Sequence, residues 1–328
     1  MESEKNRINT NGKIIKEKLI VSYKNNFYDL TKFLFKHPGG INSLGEKSNK
    51  NIDASFHSVE HSKAAHYLLK EYKINSDNIN LDERMEHLVD WNSAMLSQVS
   101  QLGDKYDDWV NLPVDRNLKL FENPILESLS KTSWYMPLII WIPFIIFLLF
   151  DQISNFDESV NITLTLMMHL TVGIFLWTFL EYNLHRYLFH FNSRKNSILI
   201  ILHFLIHGLH HKVPFDEYRL VFPPFPAFLI VTVLYQPALI LHYFNIVPYP
   251  RLLLASGLIG YLCYDMTHYF IHHGNPRISF FYNMKRYHSY HHFVHHNQGF
   301  GISNTFWDKF YGTEIILKKL KYTLKWRY

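Results

Sequence analysis

One cysteine, Cys263, stands among 328 residues. That scarcity excludes an internal disulfide framework, argues against a thiol enzyme and agrees with a reducing environment. No cleavable leader is expected either, because the first thirty residues are charged and hold no apolar stretch followed by small residues. The N-terminus is therefore expected on the cytosolic side. Lys and Arg exceed Asp and Glu by only five, and they sit beside apolar runs rather than in a basic tract. Nucleic acid is excluded as a partner on that ground, and lipid headgroups are favoured. No internal repeat is present beyond the recurrence of H-x2-H-H, which is too short to argue duplication.

What the chain does have is uneven. The first 130 residues are mixed and polar, and the rest carry long apolar runs, so one soluble module followed by one membrane module is expected. Residues 1–17 read as a disordered lead and 19–74 as a compact domain, with Thr31 an expected helix N-cap. The connector from about 75 to 131 holds Trp91, Trp109 and Pro113, too aromatic for a free linker, and should pack on something. Four stretches approach the roughly 20 residues that a membrane-spanning helix needs: 134–150, 162–181, 222–241 and 252–271. Ile198–Ile206 is half that length and reads as an interfacial or re-entrant piece. The loop after the first span has Asp151, Asp157 and Glu158 without Lys or Arg. The segment after the second has Arg186, Arg194, Lys195, Lys212 and Arg219, which puts it on the cytosolic side. Span parity from a cytosolic start gives the same side. The sequon Asn161-Ile162-Thr163 abuts the membrane and is expected to stay unmodified.

His37 and His61 lie 24 residues apart, the first in His37-Pro38-Gly39-Gly40. Two axial imidazoles keep a haem iron six-coordinate, which suits electron transfer, and the Pro-Gly-Gly turn lets backbone approach the porphyrin. The segment Tyr28-Asp29-Leu30-Thr31-Lys32-Phe33-Leu34 followed by that turn resembles cytochrome b5 over about 60 residues. The resemblance implies haem b held by His37 and His61, with His57 and His66 as bystanders. Glu60, where a Gly is usual, and Lys50–Ser55 depart from the pattern and suggest looser haem packing.

Fifteen of the twenty-one histidines lie between His185 and His296, more than packing calls for. Ten fall in four clusters: His185 and His190; His207, His210 and His211; His268 and His272; His288, His291 and His292. Residues three and four apart share a helix face, so the second and fourth clusters are each expected to present three imidazoles in one direction. His268 and His272 do so at spacing four, with His273 a second choice. His185 and His190, five apart, cannot share an ideal helix face; they serve different metals or sit where the span unwinds. Ten neutral ligands suit two metals with about five each and a position open for oxygen. Polar groups at membrane depth are costly and usually functional. Single histidines are more often helix contacts, the reading for His169, His203 and His242, while His295 and His296 fit simple chelation. Glu181, Asp216 and Asp265 flank the clusters and are candidates to accept hydrogen bonds from ligand imidazoles.

The four clusters resemble the integral-membrane fatty acid hydroxylase superfamily, and more closely its 2-hydroxylases that carry a cytochrome b5 domain in front. The matching segments include Trp109-Val110 to Pro113-Val114, Lys131–Tyr135, His185–Phe191, His207–Lys212, Arg219–Pro224 and Gly299–Ser303. Desaturases fused to cytochrome b5 begin their last histidine box with Gln, whereas this one begins with His288. The resemblance implies a small α+β cytochrome b5-like haem domain (15–80), a connector (81–130) and an all-α membrane domain (131–328) with four transmembrane helices and a cytosolic histidine-rich dimetal cap. It implies hydroxylation of C2 of long acyl groups of sphingolipids, using O2 and NADPH electrons delivered through cytochrome b5 reductase or a similar reductase. The expected cofactors are haem b at His37 and His61 and two metals at the ten clustered histidines, iron in the active enzyme with zinc also compatible. The expected site is the endoplasmic reticulum membrane, multi-pass, with haem and metals facing the cytosol. Two rivals remain: another lipid hydroxylase or desaturase of the superfamily, acting on a sphingoid base or a sterol, and a membrane electron carrier or metal transporter. A carrier would need one span and no second histidine set.

Overall fold

A computed structural model describes residues 7–8, 14–15, 18–44, 49–59, 61–74, 85–193 and 196–317. The expected disordered lead falls largely outside the described residues, as do Glu60, Arg194 and Lys195.

Strands β1 (Arg7–Ile8) and β2 (Ile14–Ile15) pair antiparallel. A second sheet has the order β4-β3-β5: β3 (Ile20–Tyr23) runs antiparallel to β4 (Asn26–Asp29) and parallel to β5 (Lys50–Asn51). Val21 and Tyr23 alternate inward along β3, the period-two pattern of a half-buried strand. They meet Leu30, Leu34, Leu44, Ile52 and Leu69 in one small core. Thr31 caps no helix. It closes a turn after β4, its backbone N–H donating to Asp29 Oδ1 and its hydroxyl oxygen accepting from Leu19 N. Helices α1 (Ile41–Leu44), α2 (Asp53–Ser58) and α3 (Lys63–Leu69) complete the module. Ser62 caps α3 by accepting from Ala65 N, as a serine at that position should.

The connector is packed, as its tryptophans required. It contains α4 (Met95–Val99), α5 (Tyr106–Val110) and α6 (Pro124–Leu129). Its Met95, Val99, Tyr106 and Trp109 bury themselves against Ile200, Phe204 and Leu209.

The membrane domain follows: α7 (Met136–Ser154), α8 (Ile162–Asn183), α9 (Ser197–His203), α10 (Leu209–Lys212), α11 (Pro224–Tyr243), α12 (Pro250–His273), α13 (Ser279–Phe293) and α14 (Phe306–Tyr311). Asn161, the sequon asparagine, caps α8 by accepting from Leu164 N. Two π-helical turns interrupt the α pattern, Leu184–Phe189 after α8 and Phe204–Gly208 between α9 and α10. Among the described residues three helices are long and apolar enough to cross a membrane: α7, α8 with its π-turn, and α11. The expected fourth span is α12. At 24 residues it has the length, but Asp265, His268, His272 and three tyrosines lower its apolarity, so length and composition mark three spans rather than four.

Most of α12 is covered by protein. It packs on α8 at backbone range: a Cβ added to Gly173 would lie 2.3 Å from Ser256 Cβ, and one at Gly260 2.6 Å from Trp177 Cβ. Small residues allow such approach between membrane helices. The outward surfaces of α7, α8 and α11 carry exposed Ile, Leu, Phe and Met, as lipid contact demands.

Candidate metal centre and haem groove

The π-turn after α8 decides where the first cluster points. His190 N donates to His185 O at 3.1 Å, an i to i+5 bond, so residues five apart come onto one face. His185 and His190 thus join a single group with His207, His211 and His291, their ligating nitrogens within 4.8 Å of one another. A second group has His210, His268, His272, His288 and His292 within the same limit. All ten expected histidines are brought together, five and five. The expectation that each H-x2-H-H presents three rings in one direction is corrected. The pairs at spacing four, His207 with His211 and His288 with His292, stay together, while His210 and His291 cross to the other group. Each helix straddles the seam, because steps of three and four residues advance to opposite sides of one helix line. Across that seam the His211 and His292 rings stand 4.3 Å apart.

The donor chemistry fits metal ions. His185 Nδ1 lies 2.6 Å from Phe300 O and His291 Nδ1 lies 2.7 Å from Gln298 O. A carbonyl only accepts, so both Nδ1 atoms carry the proton and both Nε2 atoms present lone pairs inward. His185 Nε2 faces His207 Nε2 at 3.0 Å, and His268 Nε2 faces those of His210 and His288 at 3.0 Å. His190, His272 and His291 Nε2 are buried without a partner among the described residues. Burial pushes His207, His210, His211, His288, His291 and His292 well below the ordinary imidazole value, with neighbouring imidazoles adding to the shift. Neutral lone pairs converging in a dry space call for cations.

Other histidines are placed apart from the two groups. His169 bonds Thr165 O, His203 bonds Tyr106 Oη and His242 bonds Val247 O, at 2.8, 2.6 and 2.8 Å: they are helix contacts, as expected. The His273 ring lies 4.8 Å from that of Tyr269, and His296 bonds the His291 backbone with its ring 5.8 Å from that of His211. The flanking carboxylates bind elsewhere than on imidazoles. Glu181 accepts from Ile302 N and Ser303, Asp216 from Tyr218 N and Asp265 from Phe222 N and Tyr261 Oη.

His37 and His61 face one another in the first module with ring centroids 6.4 Å apart. Two imidazoles on opposite sides of one metal, with metal–nitrogen bonds of about 2 Å, stand roughly 6 Å apart. The pair therefore fits a haem iron. His61 Nδ1 bonds Phe56 O at 2.8 Å, which places its proton on Nδ1 and leaves Nε2 to ligate, and His37 Nδ1 is held by Ser43 Oγ at 2.9 Å and by Gly39 N at 3.1 Å. A Cβ at Gly39 would fall 2.9 Å from the His37 ring, and Gly40 has φ +76°, so the turn needs both glycines. His57 and His66 lie against Tyr23.

The haem module is docked on the cap by contacts that the sequence left unread. Tyr67 of α3 donates to Glu86 Oε1 at 2.6 Å, and Lys212 Nζ reaches the same oxygen at 2.7 Å. Lys212 also donates to Trp109 O and Leu112 O. Lys36 and Tyr72 both bond Asp115 at 2.8 and 2.6 Å, Arg116 forks onto Glu71, and Lys285 Nζ bridges Phe35 O and Gly274 O at 2.9 Å each. Lys212 and Arg219, two of the charges that place their segment on the cytosolic side by sequence, are both buried, in ion pairs with Glu86 and Glu127. A lysine directly after His210-His211 was the available signal, since a charge beside a buried ligand pair needs a partner.

Fold and site together define a multi-helix membrane protein whose histidine cap is able to hold two metal ions beneath a docked bis-imidazole module. Comparison with known proteins narrows this. The family profile "Fatty acid hydroxylase" matches residues 170–313, and "Cytochrome b5-like Heme/Steroid binding domain" matches 9–76. A fatty acid 2-hydroxylase of Macaca fascicularis is 38% identical over 334 residues, covering 88% of this chain and 89% of the relative. A ceramide very long chain fatty acid hydroxylase of Saccharomyces cerevisiae is 30% identical, covering 92% and 93%. A solved structure of full-length scs7p, with only its hydroxylase domain visible, superposes with TM-score 0.64 at 32% identity, over 73% of this chain and 90% of that one. The chain belongs to the fatty acid 2-hydroxylase family.

Proposed function

We propose that this protein hydroxylates C2 of long acyl chains destined for, or already within, sphingolipids. The observation that carries the reading is the convergence of ten imidazoles in two groups on the cap to which a bis-imidazole module is docked. Its relatives support the substrate class. The overall reaction inserts one oxygen atom into a C–H bond and releases the other as water, so it consumes O2, two electrons and two protons. Bound here, haem would relay electrons singly, and two redox metals would activate oxygen.

The chain's own residues do the rest. His37 and His61 would hold the haem. The five imidazoles led by His185 and the five led by His210 would hold one metal each, iron in the working enzyme with zinc also compatible. Phe189 stacks on His207 at 5.3 Å and on Phe222 at 6.4 Å, an aromatic surface beside the first group that would suit an acyl chain. Lys285, Lys212 and Asp115 keep the electron-delivering module at a fixed pose over the cap. Electrons come from NADPH through a cytochrome b5 reductase or similar flavoprotein. The functional units are residues 15–80, 81–130 and 131–328, and the protein resides in the endoplasmic reticulum with haem and metals facing the cytosol.

Expression in cells lacking 2-hydroxylated sphingolipids should restore 2-hydroxy acyl species by lipid mass spectrometry. Their absence, with the protein present and haem-loaded, overturns the assignment. Sidedness has its own test. In a Cys263→Ser background, cysteines at Asn196 and Asn297 should label from the cytosol, and one at Asp157 only from the lumen. Labelling of all three from one side rejects the orientation.

A further inference from the structure

The two histidine groups look equivalent in number and residue type, yet the protein supports them differently. In the first group, two ligand rings are aimed by one loop: His185 Nδ1 donates to Phe300 O and His291 Nδ1 to Gln298 O. That loop is gripped from both sides by buried carboxylates. Asp308, fully buried at the start of α14, accepts from Phe300 N at 2.9 Å, Gly301 N at 2.8 Å and Thr313 Oγ1 at 2.8 Å. Glu181, one helical turn before His185, accepts from Ile302 N at 2.8 Å and from Ser303 N and Oγ at 2.7 and 2.6 Å. There is no slack, since a Cβ at Gly301 would lie 2.0 Å from Asn304 O. The second group has no such brace: Nδ1 of His288 and of His292 is buried without a partner among the described residues. His211 of the first group shares that lack, but its neighbours His185 and His291 do not.

Resting on the reading of both groups as metal sites, we infer that the two positions are unequal. The His185 group is a preformed, tighter site whose shape depends on Asp308 and Glu181 acting through the Gln298–Ser303 loop. The His210 group is looser, fills second and empties first. The physical ground is ligand orientation. A carbonyl that fixes the proton on Nδ1 also fixes the ring plane and the Nε2 lone pair, so binding need not order the ring, and loss of such outer partners typically lowers metal affinity about 10- to 100-fold. Asp308 and Glu181 are positioning residues that touch the loop and not the ligand rings.

The test is a cobalt(II) titration of the full-length, haem-loaded protein in detergent after chelator treatment, followed by ligand-field absorption and metal content. Wild type should take two equivalents in separable steps, the first tighter by about 10-fold or more. His291→Gln and His292→Gln each remove one ligand from one group and assign the steps. Asp308→Asn turns an amide N–H toward the loop's own donors and should weaken the His185-group step about 10- to 100-fold, leaving the other step and the haem spectrum unchanged. Ser303→Ala, which leaves both backbone donors to Glu181, should shift neither step. Two equal steps in wild type overturn the inference without recourse to any variant. So does an Asp308→Asn protein whose two steps weaken together or not at all. No cobalt uptake by wild type would instead overturn the metal-site reading beneath it.

Discussion

The haem groove and the histidine cap both use imidazole, and they differ in what holds the rings. In the groove two rings sit on short segments of a 24-residue stretch, and their geometry is set locally by Gly39, Gly40 and the Phe56 carbonyl. In the cap ten rings come from helices and π-turns between His185 and His292, and geometry is set by packing between elements distant in sequence. A site of the first kind survives changes elsewhere in the fold. A site of the second kind is only as good as the helix contacts and loops that frame it.

The largest effect should come from removing a cap ligand. His207→Ala or His288→Ala should lower bound metal and abolish 2-hydroxy lipid formation, by at least about 100-fold given that outer-shell losses alone reach that size. The haem spectrum should stay as in wild type. Full activity in either variant would sink the two-metal reading. His37→Ala or His61→Ala should do the converse: the low-spin haem spectrum disappears and NADPH-supported turnover stops, while metal content is kept. Retained bis-imidazole absorption would refute the ligand pair.

Lys212→Met tests the latch between the two regions. It leaves Glu86 buried and uncompensated, a change that commonly costs about 3–5 kcal/mol, so thermal unfolding should shift down and reduction of the cap by haem should slow with haem content intact. Adding Glu86→Gln should restore part of the stability, and no recovery in the double variant would mean that the pair is not what couples the modules. Gly39→Ala should act only on the groove. The forced shift against His37 is expected to cost about 1–3 kcal/mol and to weaken haem retention, leaving metal uptake untouched.

The mildest signature near neutral pH is the acid response of protein stripped of haem and metals. Burial lowers His37 from 6.5 to about 3 and depresses six cap imidazoles as well. Below pH 6.5 the unfolded chain then binds protons that the folded chain refuses, so stability falls as pH falls, across the window from 6.5 toward 3. The cap, with more such groups, should lose stability more steeply than the groove when each is followed by its own probe. Equal slopes would mean that the cap rings are not held neutral by burial.

Much of this protein was legible before any coordinates. His-Pro-Gly-Gly and the 24-residue gap to His61 mark the groove, because a turn motif is a local property. The spacings within H-x2-H-H and His268 to His272 single out eight of the ten cap histidines, because residues that close must travel on one helical segment. Composition alone separates the polar front from the apolar remainder. Tertiary structure decided what depends on phase and distance. Whether His210 and His291 join their sequence neighbours or cross the seam turns on how α10 and α13 are rotated against each other. His185 and His190 share a face only because the chain slips into a π-turn at the end of α8. Glu86 and Lys212, 126 residues apart, meet only once the connector has folded over the cap. The cover over α12 is likewise tertiary, since its histidines, Asp265 and tyrosines are shielded by helices distant in sequence. Local chemistry is written in neighbouring residues, whereas the framing of a buried site is written in contacts that no short stretch of sequence contains.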